Sequence, residues 1–267
     1  MSSSISSNWL KLLAALAMLI TLGVFPASVT ASGPLADNPT ALLQQAFDNW
    51  RGESSETTIS MTIHRPSWER SLTMKSWTRG NNYTLARFTA PAKDAGNATL
   101  KVGDQTFVFN PKLNQVVKLP ASLLAQSWMG SDFSYNDLAK ADNILTEYSH
   151  KIIGTVISDG HTIYAIEALP KPGAPVVWGK LEAKVRDDGI LVKQTYFDQD
   201  MRPVRTMTTD KIDLLGGRNY PVIVTMRPEN KSDHWTRIET TSGKFNIQLP
   251  DFIFTRSNLQ NPREVRP

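Results

Sequence analysis

From residue 54 onward the apolar residues fall on alternate positions, in short segments broken by turn sequences. Ile59, Met61 and Ile63 alternate with Thr58, Ser60 and Thr62, so one face of the segment is apolar and the other polar. A period of two is that of a β-strand, and helices could not gather these residues on one side. The pattern continues through Leu72 and Met74, Tyr83 to Phe88, Leu100 and Val102, Phe107-Val108-Phe109 and Val116-Val117. It resumes in 148–158, 161–169, 179–186, 190–197, 203–214, 220–227 and 235–247. Gly80-Asn81-Asn82, Gly103-Asp104, Asp159-Gly160, Asp188-Gly189 and Gly216-Gly217 separate neighbouring segments. Such pairs supply the positive φ angles of tight hairpins. The spacing predicts about twelve to thirteen strands in an antiparallel meander. No βαβ alternation appears, which argues against a doubly wound fold.

Helical spacing is confined to short stretches. Asn38 suits an N-cap and Pro39 the first helical position, and Leu42, Leu43, Ala46, Phe47 and Trp50 then share a face up to Gly52. This predicts an amphipathic helix over 39–51. Leu124, Trp128 and Met129 share a face in the stretch 121–129, which Gly130 would end. A further short helix is expected at 136–141, with Ser134 as its cap. The run 170–175, rich in proline, reads as a long hairpin loop. Residues 250–267 read as an extended tail that packs Phe252 and Phe254.

The N-terminus has a different pattern. A Ser-rich start with Lys11 is followed by an apolar run from Leu12 to Phe25 and then by Pro26 to Ser32. Val29 and Ala31 occupy the small-residue positions of a signal-peptidase site. The expectation is a cleaved signal peptide over 1–31 and one domain over 32–267, exported to a bacterial envelope.

Composition excludes more chemistry than it suggests. The 267 residues contain no cysteine, so disulfides, thiolate nucleophiles and cysteine-based metal sites are impossible. The net charge of +4 is not clustered as in a nucleic-acid binder. His64, His150, His161 and His234 show no metal-ligand spacing, and no Gly-x-Ser-x-Gly elbow or glycine-rich phosphate cradle is present. The acidic pairs at Asp187-Asp188 and Asp198-Asp200 fall where hairpins turn, and aspartate is a turn former in its own right. No cofactor, metal or catalytic residue is expected.

What stands out is apolar bulk. Met61, Ile63, Met74, Phe107 and Phe109 lie on strand faces read as inward, and Phe47, Trp50, Leu124, Trp128 and Met129 on the short helices. A long sheet curled round two small helices leaves either an apolar cavity with a lid or a close-packed core. Periodicity does not choose between them.

The segment Met129-Gly130-Ser131-Asp132-Phe133-Ser134-Tyr135-Asn136-Asp137-Leu138 resembles the Gly-(Ser/Thr)-Asp-Phe-Ser-Tyr-x-Asp-Leu signature of the outer-membrane lipoprotein-sorting, or LolA-like, proteins. Arg87 to Pro91, Gly96 to Lys101, Asn110-Pro111, Trp178-Gly179-Lys180 and the spacing Val185, Asp188, Ile190, Tyr196 agree in order. Trp178 stands where a tyrosine is expected. The resemblance spans residues 40–260. It implies an α+β, mostly β fold: an incompletely closed antiparallel β-barrel, or half-barrel, with short helices covering the concave face. It also implies a monomeric carrier of lipid or lipoprotein acyl chains in the periplasm of a Gram-negative bacterium, partnered by an inner-membrane transporter of the ABC or RND/MMPL type. On this reading Gly130, Asp132, Phe133 and Tyr135 form a loop, with Asp132 fixing it by accepting backbone N–H groups and the two aromatics anchoring it. Arg87 sits on the cavity side, to meet an anionic head group or latch the lid, or else is an outward surface arginine. An adaptor with a filled core and an envelope hydrolase are the alternatives.

Overall fold

A computed structural model describes residues 38–263, so the expected signal peptide over 1–31 lies outside the described residues. Helix α1 runs Pro39–Arg51. Asn38 Oδ1 accepts the Ala41 N–H at 3.0 Å, Pro39 opens the first turn, and Gly52 at φ +62° ends the helix. Leu42, Leu43 and Ala46 form its buried stripe.

Thirteen strands follow: β1 (Ser54–Arg65), β2 (Trp68–Arg79), β3 (Tyr83–Ala90), β4 (Ala98–Val102), β5 (Gln105–Asn110) and β6 (Gln115–Leu119), then β7 (Tyr148–Ser158), β8 (His161–Pro170), β9 (Lys180–Arg186), β10 (Leu191–Phe197), β11 (Pro203–Leu215), β12 (Arg218–Pro228) and β13 (Trp235–Phe245). They form one antiparallel sheet in the order 6-5-4-3-2-1-13-12-11-10-9-8-7. The sheet is two meanders joined side by side through β1 and β13, with Met61 opposite Ile238 and Ile63 opposite Thr236. It does not close, because β6 and β7 are its two edges. It does curl. Helix α1 touches β7, β9 and β12, while Arg51 at its end reaches Thr84 on β3. The half-barrel expectation therefore holds, with thirteen strands and few short helices.

The connection between the two edges, residues 120–147, crosses the inner face as a strap. It contains a 3-10 turn Ala121–Leu123 and the short helices α2 (Tyr135–Ala139) and α3 (Asn143–Thr146). The helix expected over 121–129 is absent. Met129 at φ +55° and Gly130 at φ +79° reverse the chain, so Ser127 pairs with Ser134 and the Trp128 N–H donates to the Phe133 carbonyl at 2.8 Å. Once that miniature hairpin forms, the backbone bonds of a helix are no longer available. Ser134 does begin α2, in a capping box with Asp137.

The sheet is buried on both sides in its first half. On the outer face Trp77, Leu85, Leu100, Phe107 and Phe109 pack against Leu249, Ile253, Phe254 and Leu259 of the C-terminal segment. That segment comprises a 3-10 turn Asp251–Phe254 and helix α4 (Arg256–Gln260). Phe107 and Phe109 were expected to face inward. They pair with Leu100 and Ala98, whose side chains point outward, and the tail supplies the apolar cover that their burial needs. Arg87 shares that outer face with Leu85. Its guanidinium donates to the carbonyls of Asn258 at 2.6 Å and Leu259 at 3.1 Å. It latches the C-terminal helix and has no part in the inner face. A cation at the carbonyl end of a helix is favourably placed.

Candidate ligand cavity

The inner face carries two packed groups. Leu42, Leu43 and Ala46 of α1 pack with Tyr164, Ile166, Val185, Val224 and Met226. Met61, Ile63, Leu72, Met74, Ala86 and Phe88 pack with Trp128 of the strap. Between them lies a cavity of about 290 Å³, at the lower end of the range for small-ligand sites. Most of its wall is apolar: Phe47 and Trp50 from α1, Phe133, Leu138 and Ile144 from the strap, and Trp178, Leu191, Met207 and Ile238 beyond them. The strap adds Asn136, Asp137, Lys140 and Asn143, and one further stretch of wall is polar. Ser55 and Thr57 of β1, Ser76 and Thr78 of β2, and Thr84 of β3 present hydroxyls beside Arg51.

Of the residues expected from the sequence, Phe47, Trp50, Met74, Trp128 and Phe133 line this cavity. Met61 and Ile63 point to the same side but are fully buried beneath the strap as packing. Met129 and Tyr135 pack against that same group. Leu124 is half-buried away from the cavity, and its carbonyl accepts the Asn136 N–H at 2.7 Å. Gly130 is exposed, and Phe107, Phe109 and Arg87 lie across the sheet. Trp128 is anchored by its Nε1–H, which donates to Thr99 Oγ1 at 3.1 Å, and by Phe88, whose ring centre is 5.3 Å away.

The signature segment is held by buried charge. The Asp132 carboxylate accepts from Arg65 Nη1 at 3.0 Å and from Thr236 Oγ1 at 2.6 Å. Backbone donors were expected in that role. Arg65 also donates to the Gly130 carbonyl at 3.0 Å. A second pair stands beside the first: Arg205 donates to Asp137 Oδ1 at 2.5 Å and to the Asp132 carbonyl at 2.8 Å. Its guanidinium lies 4.7 Å from the Trp178 ring and 4.4 Å from that of Tyr196. Burial pushes the Tyr196 phenol up. Burial also raises Tyr148, to about 12, and its hydroxyl donates to the Trp178 carbonyl at 3.1 Å. These phenols stay neutral at ordinary pH and act as wall and donor.

Sequence reasoning overlooked Arg51, Arg65, Lys101 and Arg205. Each charge sits at an inward or strap-facing position, and Lys101 pairs with Asp142 at 3.0 Å. A signal was there: Arg205 precedes Met207 and Lys101 follows Thr99 on the buried side of an alternating strand. Among the described residues one cluster has metal-ligand composition, His161, Asp187 and Asp188. Arg186 already serves it as cation, bonding Asp188 at 2.6 Å and His161 Nε2 at 3.0 Å.

Residues 80–261 match the model of a DUF1329-like family, whose description is that of an uncharacterized protein. The chain belongs to this family. No curated protein matches the sequence. Among solved structures, a DUF1329 family protein from Desulfovibrio piger superposes with a TM-score of 0.74 at 22% identity, over 83% of this chain and 97% of that one. A domain assigned to the outer membrane lipoprotein-sorting proteins, from Vibrio parahaemolyticus, gives 0.71 at 16% identity, over 83% and 98%. A LolA superfamily protein from Nitrosomonas europaea gives 0.69 at 22% identity, over 82% and 98%. This member of the DUF1329-like family thus shares its fold with LolA superfamily proteins. Among the described residues no helix is long and apolar enough to cross a membrane.

Proposed function

We propose that this protein is a periplasmic carrier that shelters an acyl chain of a lipid or lipoprotein between the envelope membranes. The observation that carries the reading is the cavity between α1, the strap and the inner face, walled by Phe47, Trp50, Trp128, Phe133 and Trp178. Each buried CH₂ is worth about 0.8 kcal/mol, so a sixteen-carbon chain is held in a membrane by about 12 kcal/mol. Such a chain crosses water only inside a protein that returns much of that energy. Flat indoles and flexible Met74 and Met207 can repack around it. The fold shared with LolA superfamily proteins agrees with this role. The carrier performs no chemistry of its own: Asp132 and Asp137 are taken up by arginines as structural anions. An inner-membrane transporter of the ABC or RND/MMPL type would load or unload it.

The modest cavity volume favours one alternative, an adaptor whose core is filled. Native mass spectrometry of protein recovered from cells that export it, followed by organic extraction, separates the two. A discrete added mass that extracts as lipid is the expected result. A bare protein, whose tryptophan emission a brominated fatty acid leaves unchanged, would install the adaptor in its place.

A further inference from the structure

Arg51 closes α1 and points into the cavity wall. Its Nη2 donates to the Gly80 carbonyl at 3.1 Å, the Tyr83 carbonyl at 3.4 Å and Thr84 Oγ1 at 3.0 Å. Among the described residues neither the buried Nε nor Nη1 has a partner. No carboxylate among the described residues bonds Arg51. The acid facing this end, Asp142, is already paired with the buried Lys101. Lys140, also on the wall, pairs with the exposed Asp104. Burial pushes the Arg51 guanidinium below its ordinary value, and Asp142 offsets this only in part. The described wall therefore carries two cations, Arg51 and Lys140, and its one carboxylate, Asp137, is taken up by Arg205. Buried cations without a matched anion are costly, and a ligand that brings the anion recovers that cost.

The hydroxyls lie where such an anion would be solvated. Ser55 Oγ and Thr78 Oγ1 are 2.7 Å apart, and Thr57, Ser76 and Thr84 flank them on the three strands under Arg51. All five side chains are small, which leaves room for a compact head. The remainder of the wall is mostly apolar. We infer that the cavity selects a single-chain amphiphile with a compact anionic head, the head lodged at Arg51 and the hydroxyls of β1 to β3, the chain running toward Trp178. This rests on the carrier reading and narrows it, since a neutral head would leave the guanidinium unmatched.

The test pairs two ligands of one chain length, 12-bromododecanoate and 12-bromododecan-1-ol, with quenching of tryptophan emission as the readout. Trp50, Trp128 and Trp178 all line the cavity. The acid is expected to bind at least about tenfold more tightly, the value of one charge-assisted hydrogen bond. Arg51→Gln should abolish that preference and leave the affinity for the alcohol as it was, which also reports that the variant is folded. Equal binding of acid and alcohol by the unaltered protein overturns the head-group assignment and leaves the carrier standing. Quenching by neither ligand overturns both. A preference that survives Arg51→Gln overturns the role of Arg51. Should that variant not fold, the comparison on the unaltered protein still decides.

Discussion

Asp132 shows how a single side chain can look catalytic and be structural. It is nearly buried, yet both its partners are donors from the sheet, Arg65 on β1 and Thr236 on β13. Removing one member of a buried ion pair strands the other, at a cost of about 3–5 kcal/mol. Asp132→Ala should therefore lower the unfolding free energy by about 3 kcal/mol in urea titration. The double variant Arg65→Met/Asp132→Ala should lose clearly less than the sum of the two single variants. A purely additive cycle would show that the pair does not hold the strap. The same logic explains why the sequence concealed Arg65 and Arg205. An arginine on an alternating strand looks like solvent-facing punctuation until the partner on a distant strap is known.

Elements carry the next level of control, and two of them can be probed separately. The C-terminal segment is held by Arg87 and by Arg79, which donates to Asp251 at 2.5 Å. Arg87→Met should speed amide exchange across 251–260 and leave ligand binding in the cavity unchanged. A loss of binding in that variant would return Arg87 to the inner face. Helix α1 is tied to α3 through His150, whose Nδ1 meets Thr40 Oγ1 at 2.7 Å and whose Nε2 meets the Ile144 carbonyl at 2.6 Å. Burial lowers the His150 pKa from its ordinary 6.5, with Lys171 adding to the effect and the Ile144 carbonyl opposing it. The unfolded chain then takes up a proton more readily than the folded one, so stability falls as pH drops below about 6.5. Thermal unfolding should show that loss between pH 7 and 5, and His150→Gln should reduce it. Much of this level was legible beforehand. The N-cap and apolar stripe of α1, the hairpin turns and the Ser134 cap all act locally. The face assignments of Phe107, Phe109 and Arg87 were not legible, because a period of two defines two faces without saying which is concave. On β2 to β5 both faces are buried, so hydrophobicity could not break the tie.

At the scale of the molecule the cavity was foreseen only as one of two outcomes, since whether helices fill a curled sheet depends on a few ångströms of fit. Ala141 offers a way to ask what the cavity is for. It is half-buried on the cavity wall, between α2 and α3. Ala141→Phe should narrow the cavity without emptying the core, changing stability by no more than about 1–3 kcal/mol. Quenching by a brominated chain should fall severalfold. Unchanged quenching in a folded variant would place the ligand elsewhere.

The strand order has a further consequence for how the chain is made. Among the described strands, each neighbour in the sheet is also the neighbour in sequence, apart from the junction of β1 with β13. Hairpins can zip as they emerge, but β1 meets its second partner only once residues 235–245 are present. Until then the strand that carries Met61 and Ile63 presents an open edge, and open edges invite pairing with other chains. The step that makes this molecule one sheet therefore waits for β13, and until then an open edge falls on the strand at the centre of the finished structure.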